Sequence, residues 1–240
     1  MWICRGGSSS NREVATMPKE RQAFVMKIGR RVAVAGPRVF IMARLILLGS
    51  PAGGAEVTLV NTLATATSPY LREAATQPVA WYPWGEEAFR LAKELDRPIL
   101  LDIGAIWCHW CHVMDLETYG NPEVADLINK YFIAIKVDRD ERPDIDARYL
   151  KAVQLLTRSE GWPLTVFMTS EGKVFHGGST FFPDDRFGRP GFKTLLPNVA
   201  AVYHQRKEAV LMAADQLHDA LVAWEADSMR RAALSRILST

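Results

Sequence analysis

Cys108 and Cys111, separated by His109 and Trp110, are the only close pair among the three cysteines of the chain. Two thiols at this spacing can exchange disulfides, bind zinc or, because His112 follows, carry a c-type haem. Exchange needs the first sulfur as thiolate, since the thiolate rather than the thiol attacks a disulfide. A strand running into a helix would put Cys108 at the helix N-terminus. Unpaired N–H groups and the positive end of the dipole would stabilise the anion there. Cys111, one turn along, could then resolve a mixed disulfide. His109 and, less directly, His112 could add positive charge, which stabilises the reduced form and makes the pair more oxidising. Zinc asks for four ligands, or three in an open site, and no second ligand pair has matching spacing. An inert pair is the remaining reading.

The flanking sequence supplies the elements that exchange chemistry requires. Residues 99–104, Ile-Leu-Leu-Asp-Ile-Gly, form an apolar run of strand length that ends just before Cys108. Upstream, Gly85-Glu86-Glu87 opens a helix to about Leu95, with acidic residues in its first turn, and Asp96-Arg97-Pro98 closes it. Downstream, helical patterns over 113–117 and 123–130 are broken at Gly120-Asn121-Pro122. A strand is predicted over 132–137, a helix over 144–156 and a strand over 164–168. Residues 173–175 pair with that last strand through the Glu171-Gly172 turn. From Phe192 to Leu238 the composition is helical. The order β–α–β–α–β–β–α predicts an α/β fold with a mixed central sheet flanked by helices.

Composition sets the wider frame. In 240 residues, 48% hydrophobic and 23% charged, there is material for one generous core without disulfide staples. Three cysteines do not make a disulfide framework. Residues 1–50 carry nine Lys/Arg against two acidic residues, so an acidic body follows a basic arm. No basic cluster in the body could track a phosphate backbone, which argues against nucleic acid. Residues 1–55 read as a leader. From Met26, a basic segment, an apolar stretch over 32–48 and small residues follow the plan of an export signal, and Pro37, Arg38 and Arg44 exclude a stable membrane span. This leaves an exported or periplasmic location and a cytoplasmic one equally open. The domain proper is expected over 56–215, with a C-terminal helix over 216–240.

The residues around the pair resemble the thioredoxin superfamily. The run from Ile99 to Cys108 is similar to its active-site strand, including Trp107 before the first cysteine. Gly161-Trp162-Pro163-Leu164-Thr165 resembles the segment holding the thioredoxin cis-proline. A closer resemblance is to the thioredoxin-like domain of the spermatogenesis-associated protein type. It is carried over residues 61–185 by Asn61-Thr62-Leu63, Gln77-Pro78-Val79-Ala80-Trp81-Tyr82-Pro83-Trp84, Cys108-His109-Trp110-Cys111-His112, Lys136-Val137-Asp138-Arg139-Asp140 and Gly161-Trp162-Pro163. Ala80 and Trp107 depart from that branch, which often has Asp and Thr there. Its long members continue into an α/α toroid, which these 240 residues do not reach.

The resemblance implies that Asp102 is a buried acid that takes a proton from the resolving cysteine, as a carboxylate with a raised pKa can. It also implies that Pro163 is a cis-proline shaping a substrate groove, with Trp107, His109, Trp110 and Trp162 around it. Together with Cys108 as nucleophile and Cys111 as resolving thiol, these residues predict a thiol–disulfide oxidoreductase acting on protein or small-molecule disulfides. It would need no cofactor beyond the Cys108–Cys111 disulfide and a redox partner protein to reset it. The alternative is a redox-sensing or protein-binding module without turnover.

Other features have plainer readings. Trp81, Tyr82 and Trp84 are expected to pack rather than face substrate. Asp138, Asp140, Asp144 and Asp146 suggest calcium, but Pro143 and the lack of a loop glycine favour an ion-paired loop. His176 reads as a loop histidine, and Cys4 as incidental.

Overall fold

The alternation of apolar residues in two parallel runs decides the architecture. In the computed structural model, which describes residues 57–158 and 160–238, five strands form one mixed sheet. They are β1 (Trp81–Pro83), β2 (Ile99–Gly104), β3 (Ile133–Asp138), β4 (Leu164–Met168) and β5 (Val174–Gly178), in the order β1-β3-β2-β4-β5. β1 and β2 each pair parallel with β3, whereas β2–β4 and β4–β5 are antiparallel. Helices α1 (Pro69–Glu73), α2 (Glu86–Glu94), α3 (His109–Met114), α4 (Pro122–Tyr131), α5 (Pro143–Thr157), α6 (Phe192–Gln205) and α7 (Lys207–Leu238) complete the described residues. This is the thioredoxin-like arrangement the resemblance implies. The leader over 1–55, its signal-like segment from Met26 and Cys4 lie outside the described residues.

Every residue of β2 and β3 is buried, as an inner strand covered on both faces requires. Side chains alternate between the faces. Ile99, Leu101 and Ile103, with Ile133, Ile135 and Val137, join the core beneath α2 and α5, which Leu221 of α7 also enters. Leu100 and Ala134 join the opposite core with residues of α1, α3, α4 and α6. Asp102 and Lys136 occupy the same phase as Leu100 and Ala134, and the parallel register sets them side by side. Two charged residues are thereby committed to the interior, on the face that holds the cysteines.

The structure differs from the sequence reading in three places. β1 is a strand, where the sequence suggested only an aromatic packing segment. Three residues are too few to show a period, and Pro83 is tolerated because β1 is an edge strand. Trp81 and Tyr82 are buried and Trp84 packs edge-on to Phe89, so packing is their role. The helix after β2 starts at His109 rather than Val113, and a π-helical turn over Asp115–Tyr119 continues it. His176 lies within β5, stacked on Phe167, rather than in a loop.

Among the described residues no helix is long and apolar enough to cross a membrane. α7 runs without a break across position 216.

Candidate active site

Cys108 is the N-cap of α3, with extended backbone, and its sulfur accepts a hydrogen bond from the Cys111 N–H at 3.3 Å. The two cysteines form a disulfide with Cα atoms 5.2 Å apart. Both are buried, Cys108 at 7% exposed keeping more of its surface than Cys111 at 1%. That asymmetry follows from helix geometry: position N-cap stands at the mouth of the turn, and three residues later the chain has turned inward.

Behind Cys111 lies a closed polar cluster. Lys136 Nζ, wholly buried, donates to Asp102 Oδ2 at 2.7 Å and to Asp115 Oδ1 at 2.8 Å. Tyr119 donates to Asp102 Oδ1 at 3.0 Å and Tyr70 to Asp102 Oδ2 at 3.3 Å. The ammonium also sits 4.6 Å from the Tyr70 ring centre and 5.1 Å from that of Trp81. No buried side-chain nitrogen or oxygen among the described residues lacks a partner. Burial pushes the Asp102 carboxyl above its ordinary range; Lys136 pulls it down and the Asp115 charge pushes it up again. For Lys136, burial works to lower the pKa, but two carboxylates outweigh it and the ammonium is held above the usual lysine range. The two directions are compatible, because one cation answers two anions.

Each partner arrives by a local device. Ser68 caps α1, accepting from the Leu71 N–H, with Pro69 at the first helical position. Its hydroxyl donates to Asp138 Oδ2 at 2.6 Å, fastening α1 to the end of β3 and setting Tyr70 in place. At Gly104 a Cβ would collide with the Tyr70 hydroxyl and come within 2.9 Å of Cys111 Sγ, so the missing side chain lets hydroxyl and sulfur be neighbours. Asp115 and Tyr119 both come from the π-helical turn after α3.

In front of Cys108 the surface is aromatic. Trp107 is 57% and Trp110 51% exposed. Trp107 donates to Asp140 Oδ2 at 2.8 Å and stands edge-on to Trp162, with ring centres 6.3 Å apart. The Arg139 guanidinium lies 4.0 Å from the Trp162 ring centre and 5.3 Å from that of Trp107. Asp146 organises both, accepting from Arg139 Nε at 3.1 Å and from Trp162 Nε1 at 2.7 Å. The Trp162–Pro163 peptide is cis. His109 packs edge-on to Trp110. His112 Nε2 lies 2.6 Å from the Ile106 carbonyl oxygen, which places its proton on that nitrogen, and Nδ1 is 3.8 Å from Glu73.

The aspartates that suggested calcium are spent on partners: Asp138 on Ser68, Asp140 on Trp107, Asp144 on Arg142 and Asp146 on Arg139 and Trp162. Among the described residues no cluster of His, Cys, Asp and Glu could hold a metal ion. Sequence reasoning gave no site role to Lys136, Asp115, Tyr70, Tyr119 and Arg139, and read Asp146 only as part of an ion-paired loop. Only Lys136 carried a signal, a charge inside an apolar strand pattern.

Comparison with known proteins agrees with this geometry. The family Thioredox_DsbH, described as "Protein of unknown function, DUF255", matches residues 60–222. Spermatogenesis-associated protein 20 of Rattus norvegicus is 42% identical over 163 residues, covering 68% of this chain and 21% of that protein. The chain thus spans about a fifth of the length of the curated relatives it first matches. The thiol:disulfide interchange protein DsbD of Klebsiella pneumoniae is 30% identical over 83 residues, 35% of this chain and 13% of that one. A solution structure of a thioredoxin from Thermus thermophilus is 23% identical with a TM-score of 0.38, covering 51% of this chain and 87% of that one. That superposition is too loose to add to the topology itself.

Proposed function

Since this chain belongs to the DsbH-like thioredoxin family described as DUF255, we propose that it is a thiol–disulfide oxidoreductase that works through Cys108 and Cys111. The observation that carries this reading is the disulfide itself, with its outer sulfur at a helix N-terminus and its inner sulfur beside the Tyr70 hydroxyl that donates to buried Asp102. In the reduced protein, the Cys108 thiolate attacks one sulfur of a substrate disulfide. A mixed disulfide forms and the other substrate sulfur leaves as a thiolate. Cys111 loses its proton to Asp102, with the Tyr70 hydroxyl beside both, and its thiolate attacks Cys108. The second substrate sulfur leaves, and both protein sulfurs end as the disulfide described above. Two electrons pass from protein to substrate, and a dithiol partner protein returns them. The reverse sequence oxidises a substrate dithiol and leaves the protein reduced.

Trp107, Trp110 and Trp162, with His109 and Pro163, form the surface on which the substrate chain rests while the sulfurs align. The exposure of Trp107, His109 and Trp110 next to Cys108 supports that role, with Trp162 half-buried and Pro163 buried. No cofactor enters this chemistry.

Equilibration in glutathione buffers, followed by thiol alkylation and mass spectrometry, tests the proposal. A reversible Cys108–Cys111 couple with a midpoint between about −270 and −120 mV is expected, the range of known dithiol exchangers. A pair that never opens or closes within accessible buffers, or a Cys111→Ser variant that accumulates no mixed disulfide, would leave only a binding role.

A further inference from the structure

Beyond β5 the chain makes a detour before α6, and this detour borders a groove that reaches the cysteine motif. The groove has a volume of about 860 Å³ and is lined by Trp110, Phe181, Phe182, Phe187, Arg186 and Arg189, among others. That lies within the range of clefts that enclose a drug-sized ligand, about 300–1,000 Å³. Three features show that the detour is built rather than slack. Asp185 Oδ1 accepts from the Gly191 N–H at 2.8 Å. Gly191 lies so close to the Asp184 backbone that any Cβ there would overlap it. Between these ends, Arg186 and Arg189 exchange two backbone hydrogen bonds, at 3.0 and 2.9 Å, closing a tight turn.

The residues at the tip of that turn are the wrong ones for the turn alone. Phe187 and Gly188 both have positive φ, 53° and 73°. That conformation suits Asn-Gly, and an aromatic residue there is strained. Phe187 is also 91% exposed, so packing within the chain does not offset the strain. Its arginine neighbours are as unspent. Arg186 lies 5.0 Å from the Phe182 ring centre, and among the described residues neither Arg186 nor Arg189 forms an ion pair. The nearby carboxylate Asp184 is engaged by Lys193 at 3.2 Å. Burial lowers the pKa of His176, on the groove wall. The rim therefore offers aromatic surface and two uncompensated guanidinium groups, within reach of Trp110.

We propose that this groove is a docking site for an acidic peptide segment carrying an aromatic side chain, and that such a segment flanks the reacting cysteine in the protein's substrate. The aromatic side chain packs between Trp110 and Phe187, and carboxylates pair with Arg186 and Arg189. This specifies the substrate class of the exchange reaction and rests on that reading only for the identity of the occupant as substrate.

Binding can be measured where no exchange occurs, on the oxidised protein with a fluorescein-labelled octapeptide that has one phenylalanine between glutamates and a serine in place of cysteine. Fluorescence anisotropy should show it binding at least tenfold more tightly than the same peptide with lysines for glutamates. Arg186→Glu with Arg189→Glu should erase that difference, and Phe187→Asn should weaken the acidic peptide several-fold while leaving thermal unfolding unchanged or later. Equal affinity for the two peptides, or an acidic preference that survives the charge reversal, overturns the proposal. Docking as expected in a protein whose cysteines never exchange would overturn the catalytic reading and leave the docking site standing.

Discussion

Behind the Cys108–Cys111 disulfide, a lysine and a carboxylate are shut away among tyrosines, with a second carboxylate half-buried beside them; in front of it, three tryptophans and an arginine stand partly in water. The rear is a closed set, in which every charge depends on another and no member can leave without stranding the rest. The front is an open set, whose members touch but do not depend on one another for solvation. Charge deep in the protein governs protons, and aromatic surface at its edge governs encounter. The disulfide is the boundary at which one reaction needs both.

Substitutions can break this contrast or sharpen it. The largest effect belongs to the boundary: Cys108→Ser should lower exchange turnover by roughly a thousandfold or more, measured with a disulfide-linked peptide. Next comes the rear. Lys136→Met leaves Asp102 buried, and Asp115 half-buried, without their cation and should cost about 3–5 kcal/mol in urea unfolding. A loss below about 1 kcal/mol would mean that the cluster is not closed. Asp102→Asn should slow the resolving step by about a hundredfold at neutral pH. It should also change how stability depends on pH. The folded-state pKa of Asp102 is raised, so the folded protein holds this proton more tightly than the unfolded chain. That group favours folding below its raised value, and the benefit is lost as pH climbs through it. Unfolding of wild type minus variant across a pH series should show that falling component; a rising one would reverse the argument. The smallest effect belongs to the front. Trp107→Ala removes a hydrogen bond to Asp140 and an edge contact to Trp162, both at the surface. It should change stability by no more than about 0.5 kcal/mol while raising KM for a protein disulfide a few-fold.

The same contrast explains what the sequence could reveal. β2 and β4 were legible residue for residue, because buried strands between turn residues leave a nearly continuous apolar run. Asp102 and Lys136 each interrupt such a run, and a charge inside a strand buried on both faces must find a partner. Their pairing depends on the parallel register of β2 and β3, which no local pattern encodes. Tyr70 and Tyr119 were illegible as site residues for a related reason. They come from α1 and from the turn after α3, and meet Asp102 only through tertiary packing. At the front, Trp107, Trp110 and Trp162 were legible through the motifs they adjoin, whereas Arg139 and Asp146 looked like one more charged loop. β1 was lost because three residues show no period.

The turn over Asp115–Tyr119 gives this protein a dependence on chain length as well as on chemistry. The Gly120 N–H reaches back five residues to the Asp115 carbonyl at 2.9 Å, one residue further than an ordinary helix allows. Leu116, 80% exposed, rides on the outside of that widened turn. Deleting it would let the segment relax to ordinary winding, with Gly120 then four residues from Asp115; the chain beyond would keep its place, while Tyr119, inside the turn, would shift off its bearing on Asp102. The cysteines, the tryptophans and every charged residue would survive in the text of the protein. What would go is the alignment that brings Tyr119 to Asp102, so a gap of one letter could silence a site in which every functional residue is still spelled correctly.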